Sequence, residues 1–183
     1  EKIAISSFNS RKKAEWLLGR LAAKNAVKDF LKNDNIRMKD ISIKSTRKTP
    51  PRCCVKSKKR KIFLSISHSG NNAVAAASKF PIGIDIEFAR HFNKNLRALV
   101  FNESDRLNAK KDAETYYTSM WCAKEAAAKA LELGTGIDFR RIKLKNGKKN
   151  SAIASWDNRL HEFEIILKKA DNAIIAIAIP NER

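Results

Sequence analysis

Pro81-Ile82-Gly83-Ile84-Asp85-Ile86-Glu87-Phe88 alternates between two kinds of side chain. Period-two alternation with β-branched residues predicts a strand with one buried face. Ile82, Ile84, Ile86 and Phe88 fall on that face, and Gly83, Asp85 and Glu87 fall on the other. Asp85 and Glu87 therefore project together, beside a glycine that leaves access to them. Adjacent carboxylates are costly unless a cation or a proton offsets them. Mg²⁺ is a fitting counter-ion, because it takes one or two carboxylates together with phosphate oxygens. A solvated strand edge has the same pattern, so the neighbouring motifs decide between the two.

Two such motifs flank the strand. Ser67-His68-Ser69-Gly70 stands upstream, after the alternating run Phe63-Leu64-Ser65-Ile66. Trp121-Cys122-Ala123-Lys124-Glu125-Ala126-Ala127-Ala128-Lys129 stands downstream, in a helical pattern with Glu125 and Lys129 four apart.

The chain of 183 residues is long enough for one domain or two small lobes with a real core. Its formal net charge of +19 predicts anionic partners: nucleic acid, an anionic surface, phosphorylated small molecules or an acidic protein. Cys53, Cys54 and Cys122 have neither disulfide-framework nor zinc spacing, which fits a reducing, cytoplasmic setting. No apolar run reaches the ~18–20 residues of a membrane span, and no signal peptide is visible.

The remaining elements follow in order. Lys2 to Ser6 reads as a short strand. Ser10 reads as the cap of a helix whose apolar stripe includes Trp16, Leu17, Leu18, Leu21, Val27 and Phe30. Arg20 and Lys24 share a face of it, as a solvated basic face or a phosphate clamp. Asn33-Asp34-Asn35 breaks the helix, and Ile41 and Ile43 mark a short strand. The stretch from Ser45 to Arg52, with two prolines, is an anion-seeking loop. The basic run Lys56 to Lys61 reads as a solvated hairpin or a nucleic-acid patch. Ile62–Ser69 and Ala73–Ser78 form a hairpin across Gly70-Asn71-Asn72. Asn102 caps a helical start, and Asp112 to Leu133 is helical, ended by Gly134-Thr135-Gly136. Arg141–Leu144, Ala152–Ser155, Glu162–Leu167 and Ala173–Ile179 make an antiparallel set with turns at Asn146-Gly147 and Ala170-Asp171-Asn172.

Ser67-His68-Ser69, Gly83-Ile84-Asp85-Ile86-Glu87 and Trp121-x-x-Lys124-Glu125-x-x-x-Lys129, in this order and spacing, resemble the 4′-phosphopantetheinyl transferases of the Sfp-like type. Glu15 to Lys24 also resembles that family's N-terminal helix. The resemblance covers about residues 11 to 145. It implies an α/β (α+β) fold of two similar lobes forming a pseudo-dimer, each with a small antiparallel sheet packed on a long helix. The lobes would be residues 1–80 and 81–183, with the site between them. The implied activity is Mg²⁺-dependent transfer of phosphopantetheine from coenzyme A to a serine of an acyl or peptidyl carrier protein, releasing 3′,5′-ADP. The implied assembly is a monomer with pseudo-twofold symmetry or a domain of a larger synthase, without nucleic-acid or membrane partners.

The resemblance also carries roles, residue by residue. Asp85, Glu87 and Glu125 would hold Mg²⁺. Glu125, directly or through a bound water, would be the base for the carrier serine, and Lys129 would reach the phosphates. Ser67 and His68 would hydrogen-bond coenzyme A phosphates, and Arg20 and Lys24 would grip the 3′-phosphate. Lys48, Thr49 and Arg52 would flank the adenosine. Two other readings compete. A nucleic-acid module accounts for the charge but leaves the acidic motifs without a task, and its basic run lacks aromatics for base stacking until Phe63. A degenerate docking domain would have no need of a full set of ligands, and here every one is present.

Overall fold

Asn9 opens the first helix, because its side chain accepts a hydrogen bond from the Lys12 amide. The computed structural model describes residues 9–33, 35–46, 49–56, 58–107, 112–134, 136–146, 151–156 and 162–180. The strand expected at Lys2 to Ser6, Gly147 of the expected turn and Thr135 lie outside the described residues. Helix α1 spans Ser10–Leu31. The cap falls one residue before the expected Ser10, where Asn9 holds an extended backbone with φ −68° and ψ 168°. The helix stops at Lys32, which turns left-handed with φ 47°.

The buried face of α1 differs from the expected leucine-rich stripe. Gly19, Ala23 and Val27 are buried, whereas Leu17 and Leu21 stay 53% and 52% exposed. The reason is close approach. A Cβ built on Gly19 would meet the Ile66 side chain at 3.3 Å, so the small-residue face alone seats the helix on its strands.

Those strands form two small antiparallel sheets. β1 (Ile41–Lys44), β2 (Arg52–Val55) and β3 (Lys58–Lys59) are ordered β1-β2-β3. β4 (Phe63–Ser69) and β5 (Asn72–Ser78) form the expected hairpin. It turns through Gly70 at φ 56°, a backbone region open to glycine without strain. Helix α1 packs on β5, β4 and β1 over a core that includes Ala23, Val27, Ile41, Ile43, Val55 and Leu64.

A second set of elements begins with β6 (Gly83–Phe88). Helices α2 (Lys94–Val100), α3 (Glu103–Leu107) and α4 (Ala113–Ala130) follow. After them come β7 (Ile142–Asn146), β8 (Ser151–Trp156), β9 (Glu162–Ala170) and β10 (Ala173–Pro180). The antiparallel sheet has the order β6-β10-β9-β8-β7, so the last strand lies between the first and its own hairpin partner. The turn from β9 to β10 passes through Asp171 at φ 50°.

Helix α4 lies across this sheet through small residues. Ala123, Ala126, Ala127 and Ala130 are buried with Ala176 and Ala178 of β10 in one core. Gly83 belongs to the same close approach, since a Cβ there would stand 1.8 Å from the Ala126 carbonyl oxygen. The missing side chain of Gly83 therefore admits the helix rather than a ligand, as the sequence reading had it. The expected single buried face of this strand is also overturned. Gly83, Ile84, Asp85 and Ile86 are all buried, because α4 covers the side that carries the carboxylates.

The result is an α+β architecture of small antiparallel sheets, each long helix lying on its own strands. Among the described residues no helix is long and apolar enough to cross a membrane.

Candidate functional site

Three elements converge on Asp85. Strand β4 lies beside β6 and steps along it in the same direction. Ser65 Oγ accepts from the Ile84 amide at 3.0 Å, Ser67 Oγ donates to Asp85 Oδ1 at 2.6 Å, and Ser69 Oγ donates to Glu87 Oε2 at 3.3 Å. Period-two alternation explains the match, since Ser65, Ser67 and Ser69 share one face of β4 and His68 takes the other. Helix α4 adds Lys129, whose Nζ donates to Asp85 Oδ1 at 2.6 Å and to the Ile84 carbonyl at 3.2 Å.

Asp85 is only 4% exposed. Its Oδ1 holds two donors, whereas its buried Oδ2 has no hydrogen-bond partner among the described residues. A buried carboxylate oxygen without a donor is costly, and a cation would satisfy it. Glu87 is placed differently. Its Oε1 accepts from Trp121 Nε1 at 3.1 Å and stands 4.0 Å from Arg90 Nη2, while Oε2 accepts from Ser69. The thiol of Cys122, which donates to the Ile174 carbonyl at 3.3 Å, is pushed up from its ordinary value first by burial and then by the Asp85 carboxylate.

Glu125 lines an adjoining cleft with Lys129. Its pKa is pushed up to about 6. Burial is the main cause; Lys129 pulls the value down, and the Asp85 and Glu87 charges push it further up. Glu125 thus shares a field with both strand carboxylates. Among the described residues, no three His, Cys, Asp or Glu side chains form a ready-made cage for a metal ion. Asp85 Oδ2 and Glu125 are the groups best able to hold a hard cation, completed by oxygens from a ligand.

The cleft has two chambers that share Thr46, Thr49, Pro51 and Ile66. One, of about 440 Å³, has Glu125, Lys129 and Glu132 on one side and Leu64, Ile66, Ile137 and Phe139 as apolar walls. The other, of about 490 Å³, is lined by Lys12, Trp16, Arg20 and His68, with one carboxylate, Glu15, that is paired with Arg11. Arg20 packs its guanidinium 4.6 Å from the Trp16 ring centroid and donates to Ser45 Oγ. Cations around one chamber and carboxylates with a lysine at the other suit an elongated, phosphorylated ligand.

The expected site residues divide accordingly. Asp85, Lys129 and Ser67 meet at one point, Glu87 stands two residues further along the strand with partners of its own, and Glu125 lies in the field of both carboxylates. Thr49, Arg20 and His68 line the second chamber. Ser67 spends its hydroxyl hydrogen on Asp85 rather than facing a phosphate. Lys24 donates to the Met38 carbonyl at 3.2 Å and is not among the residues lining either chamber. Arg52 forms a two-pronged ion pair with Glu132, at 3.1 and 3.4 Å, from β2 to the turn that follows α4. Lys48 lies outside the described residues.

The sequence reading assigns no site role to three residues, two of which, Ser69 and Trp121, stand in the quoted motifs. Ser69 and Trp121 hold Glu87, and Glu132 holds Arg52. The Ser65-Ser67-Ser69 alternation was a usable signal for the first. Nothing local signals the other two, because their partners lie 34 and 80 residues away.

A family model described as the 4′-phosphopantetheinyl transferase superfamily matches residues 81–178, just over half of the chain. Comparison with curated proteins returned no match. Among solved structures, holo-[acyl-carrier-protein] synthase of Thermotoga maritima is similar at 17% identity and a TM-score of 0.48. That match covers 56% of this chain and 64% of that one, a little under two thirds of its length. Holo-[acyl-carrier-protein] synthase of Helicobacter pylori, in complex with coenzyme A, is similar at 21% identity and a TM-score of 0.47, covering 55% of this chain and 99% of that one.

Proposed function

Because the chain belongs to the 4′-phosphopantetheinyl transferase superfamily, we propose that it moves 4′-phosphopantetheine from coenzyme A to a serine of an acyl or peptidyl carrier protein and releases 3′,5′-ADP. The observation that carries this reading is the Asp85 site. A buried carboxylate has one oxygen without a donor, in the field of a second carboxylate of raised pKa and bonded to a lysine, and those two groups line a cleft whose two chambers have about 440 and 490 Å³.

Asp85, Glu125 and, as a third member, Glu87 would hold Mg²⁺. When bound, the ion supplies charge neutralisation for the pyrophosphate of coenzyme A. The chain's own groups do the rest. Lys129 is poised at the same point to pair with phosphate oxygens as a mobile cation. Arg20, His68 and Lys12 would take the 3′-phosphate, and Thr49 with the Pro50-Pro51 loop would border the adenosine. Arg52, released from Glu132, would add a cation to that border.

Glu125 is the proposed base. With a pKa near 6 it is mostly ionised at neutral pH and still basic enough to accept a proton. The carrier serine gives its hydroxyl proton to Glu125, and its oxygen bonds to the phosphorus that bears pantetheine. The phosphoanhydride bond to the adenosine phosphate breaks, and 3′,5′-ADP departs with the electron pair.

Intact-mass spectrometry of an apo acyl carrier protein, incubated with this chain and coenzyme A with and without Mg²⁺, tests the proposal. A gain of one phosphopantetheinyl mass only with metal is the expected result. No gain across several acidic carriers, together with no binding of coenzyme A by calorimetry, would overturn it.

A further inference from the structure

Lys124 sits in the middle of the motif that supplies Glu125 and Lys129, yet it turns away from the cleft. Its side chain is 0% exposed and faces Asp105, itself 1% exposed, with Nζ 2.8 Å from Oδ2. The same Nζ donates to the Phe139 carbonyl at 3.0 Å and to the Ile142 carbonyl at 2.6 Å. An ammonium has three N–H donors, and here each has a buried acceptor. The three acceptors come from α3, from the 3-10 turn Phe139–Arg141 and from the first residue of β7.

Asp105 extends the hub. Its Oδ2 also accepts from the Asn102 amide at 3.0 Å, and its carbonyl accepts from the Tyr116 hydroxyl at 2.8 Å. From the turn, the Phe139 ring packs on Trp121 with centroids 4.7 Å apart. Trp121 in turn donates to Glu87. Phe139 also lines the cleft that Lys129 lines. A continuous set of contacts thus joins Lys124 to the cleft wall and to a site carboxylate, without Lys124 touching either. An apolar side chain would fill the same volume but leave two carbonyls unsatisfied and fix no direction.

We infer that Lys124, paired with Asp105, is a positioning residue. The buried ammonium sets the Phe139–Arg141 turn against the back of α4, and thereby the cleft wall and the Trp121–Glu87 hydrogen bond. The inference rests on the function proposed above for its kinetic consequence, but not for its structural one. Misplacing a wall or an orienting group by a fraction of an ångström costs rate before it costs folding.

The test is the double variant Lys124→Met/Asp105→Asn, which avoids leaving one buried charge unpaired. Fluorine NMR of 5-fluorotryptophan-labelled protein gives three resonances, assigned by single Trp→Phe variants: Trp121 reports the site, Trp16 is a control on the other core, and Trp156 lies opposite Ile142 beside the hub. The expected result is a folded protein with a displaced Trp121 resonance and an unmoved Trp16 resonance. In the transfer assay kcat falls about tenfold and KM for coenzyme A rises several-fold. An unmoved Trp121 resonance in the folded variant, or kcat and KM within about twofold of the parent, overturns the inference. Should the double variant not fold, Phe139→Leu keeps the hub and removes the ring that transmits it. That variant must then show the same Trp121 displacement and kinetic loss, and parent-like behaviour in both overturns the inference. If the parent itself transfers nothing, the proposed function fails, and the Trp121 resonance alone decides the role of the hub.

Discussion

Asp85 and Glu87 have the same chemistry and adjacent register, yet their surroundings rank them. Glu87 is already bonded through both oxygens, whereas Asp85 keeps one buried oxygen without a donor. Asp85→Ala is therefore expected to abolish transfer with only a modest change in Tm, because losing the bonds from Lys129 and Ser67 is offset by removing a carboxylate that repels Glu125. Glu87→Gln is expected to be milder, since the amide keeps a bond to Trp121. Equal losses in the two variants would return Glu87 to the same rank as Asp85. Glu125 makes a pH prediction of definite sign. Its folded pKa lies above the ordinary value of 4.5, so the native state binds more protons between about pH 4.5 and 6. Burying its charge lowers stability above pH 6, and that cost disappears as pH falls through 4.5. Glu125→Gln should thus gain about 1–2 kcal/mol at pH 7 and nothing at pH 4, while losing about 100-fold or more in kcat. Urea melts at the two pH values read the first effect. A pH–rate profile of the parent should lose rate on the acid side as Glu125 takes up a proton, and raising Mg²⁺ should move that limb to lower pH, because a bound cation favours the ionised carboxylate.

At the scale of elements, the seating of α4 on β6 decides whether these side chains meet at all. Ala126 and Ala130 lie against Gly83, and this spacing brings Lys129 to Asp85 and Trp121 to Glu87. Gly83→Ala would place a Cβ 1.8 Å from the Ala126 carbonyl oxygen. Backbone cannot yield as a side-chain tip can, so a loss of about 3 kcal/mol or more is expected. Thermal unfolding measures it, and a Tm near that of the parent would show that the helix is free to move. The ion pair between Arg52 and Glu132 is of another order. Its side chains are 53% and 36% exposed, and an exposed pair contributes about 0–1 kcal/mol. Glu132→Gln should leave Tm nearly unchanged and slightly tighten coenzyme A by freeing Arg52. Arg52→Ala should weaken coenzyme A; calorimetry on the two variants separates these effects, and weakening in both would give Glu132 a ligand-binding role of its own.

Across the whole molecule, the net charge of +19 acts on encounter more than on chemistry. For an acidic carrier protein, kcat/KM is expected to fall several-fold between about 50 and 300 mM salt while kcat stays constant. A salt-independent kcat/KM would mean that the excess of lysine and arginine does not steer the carrier. The exposed Leu17 and Leu21 on α1 belong to this scale too, since their fate depended on which face of the helix could approach the strands most closely.

Local pattern by itself determined the two long helices, the β4–β5 hairpin and the carboxylate strand, but not β2, which follows directly on the proline-rich loop. Alternation marked Gly83–Phe88 as a strand, helical spacing put Glu125 and Lys129 on one face, and turn residues separated β9 from β10. The three motifs also carry the likeness to the superfamily, independently of any contact in the fold. Tertiary structure alone decided how each side chain is employed. Ser67 and Ser69 serve the carboxylates because β4 happens to lie in register beside β6, and Gly83 serves helix packing because Ala126 arrives there. Lys124 became a buried hub because α3 and the Phe139 turn meet behind α4. The physical reason is one of range. Periodicity reports which neighbours share a face, over a few residues. A hydrogen bond, a close approach or a raised pKa depends on groups dozens of residues away that only the packed fold brings within ångströms.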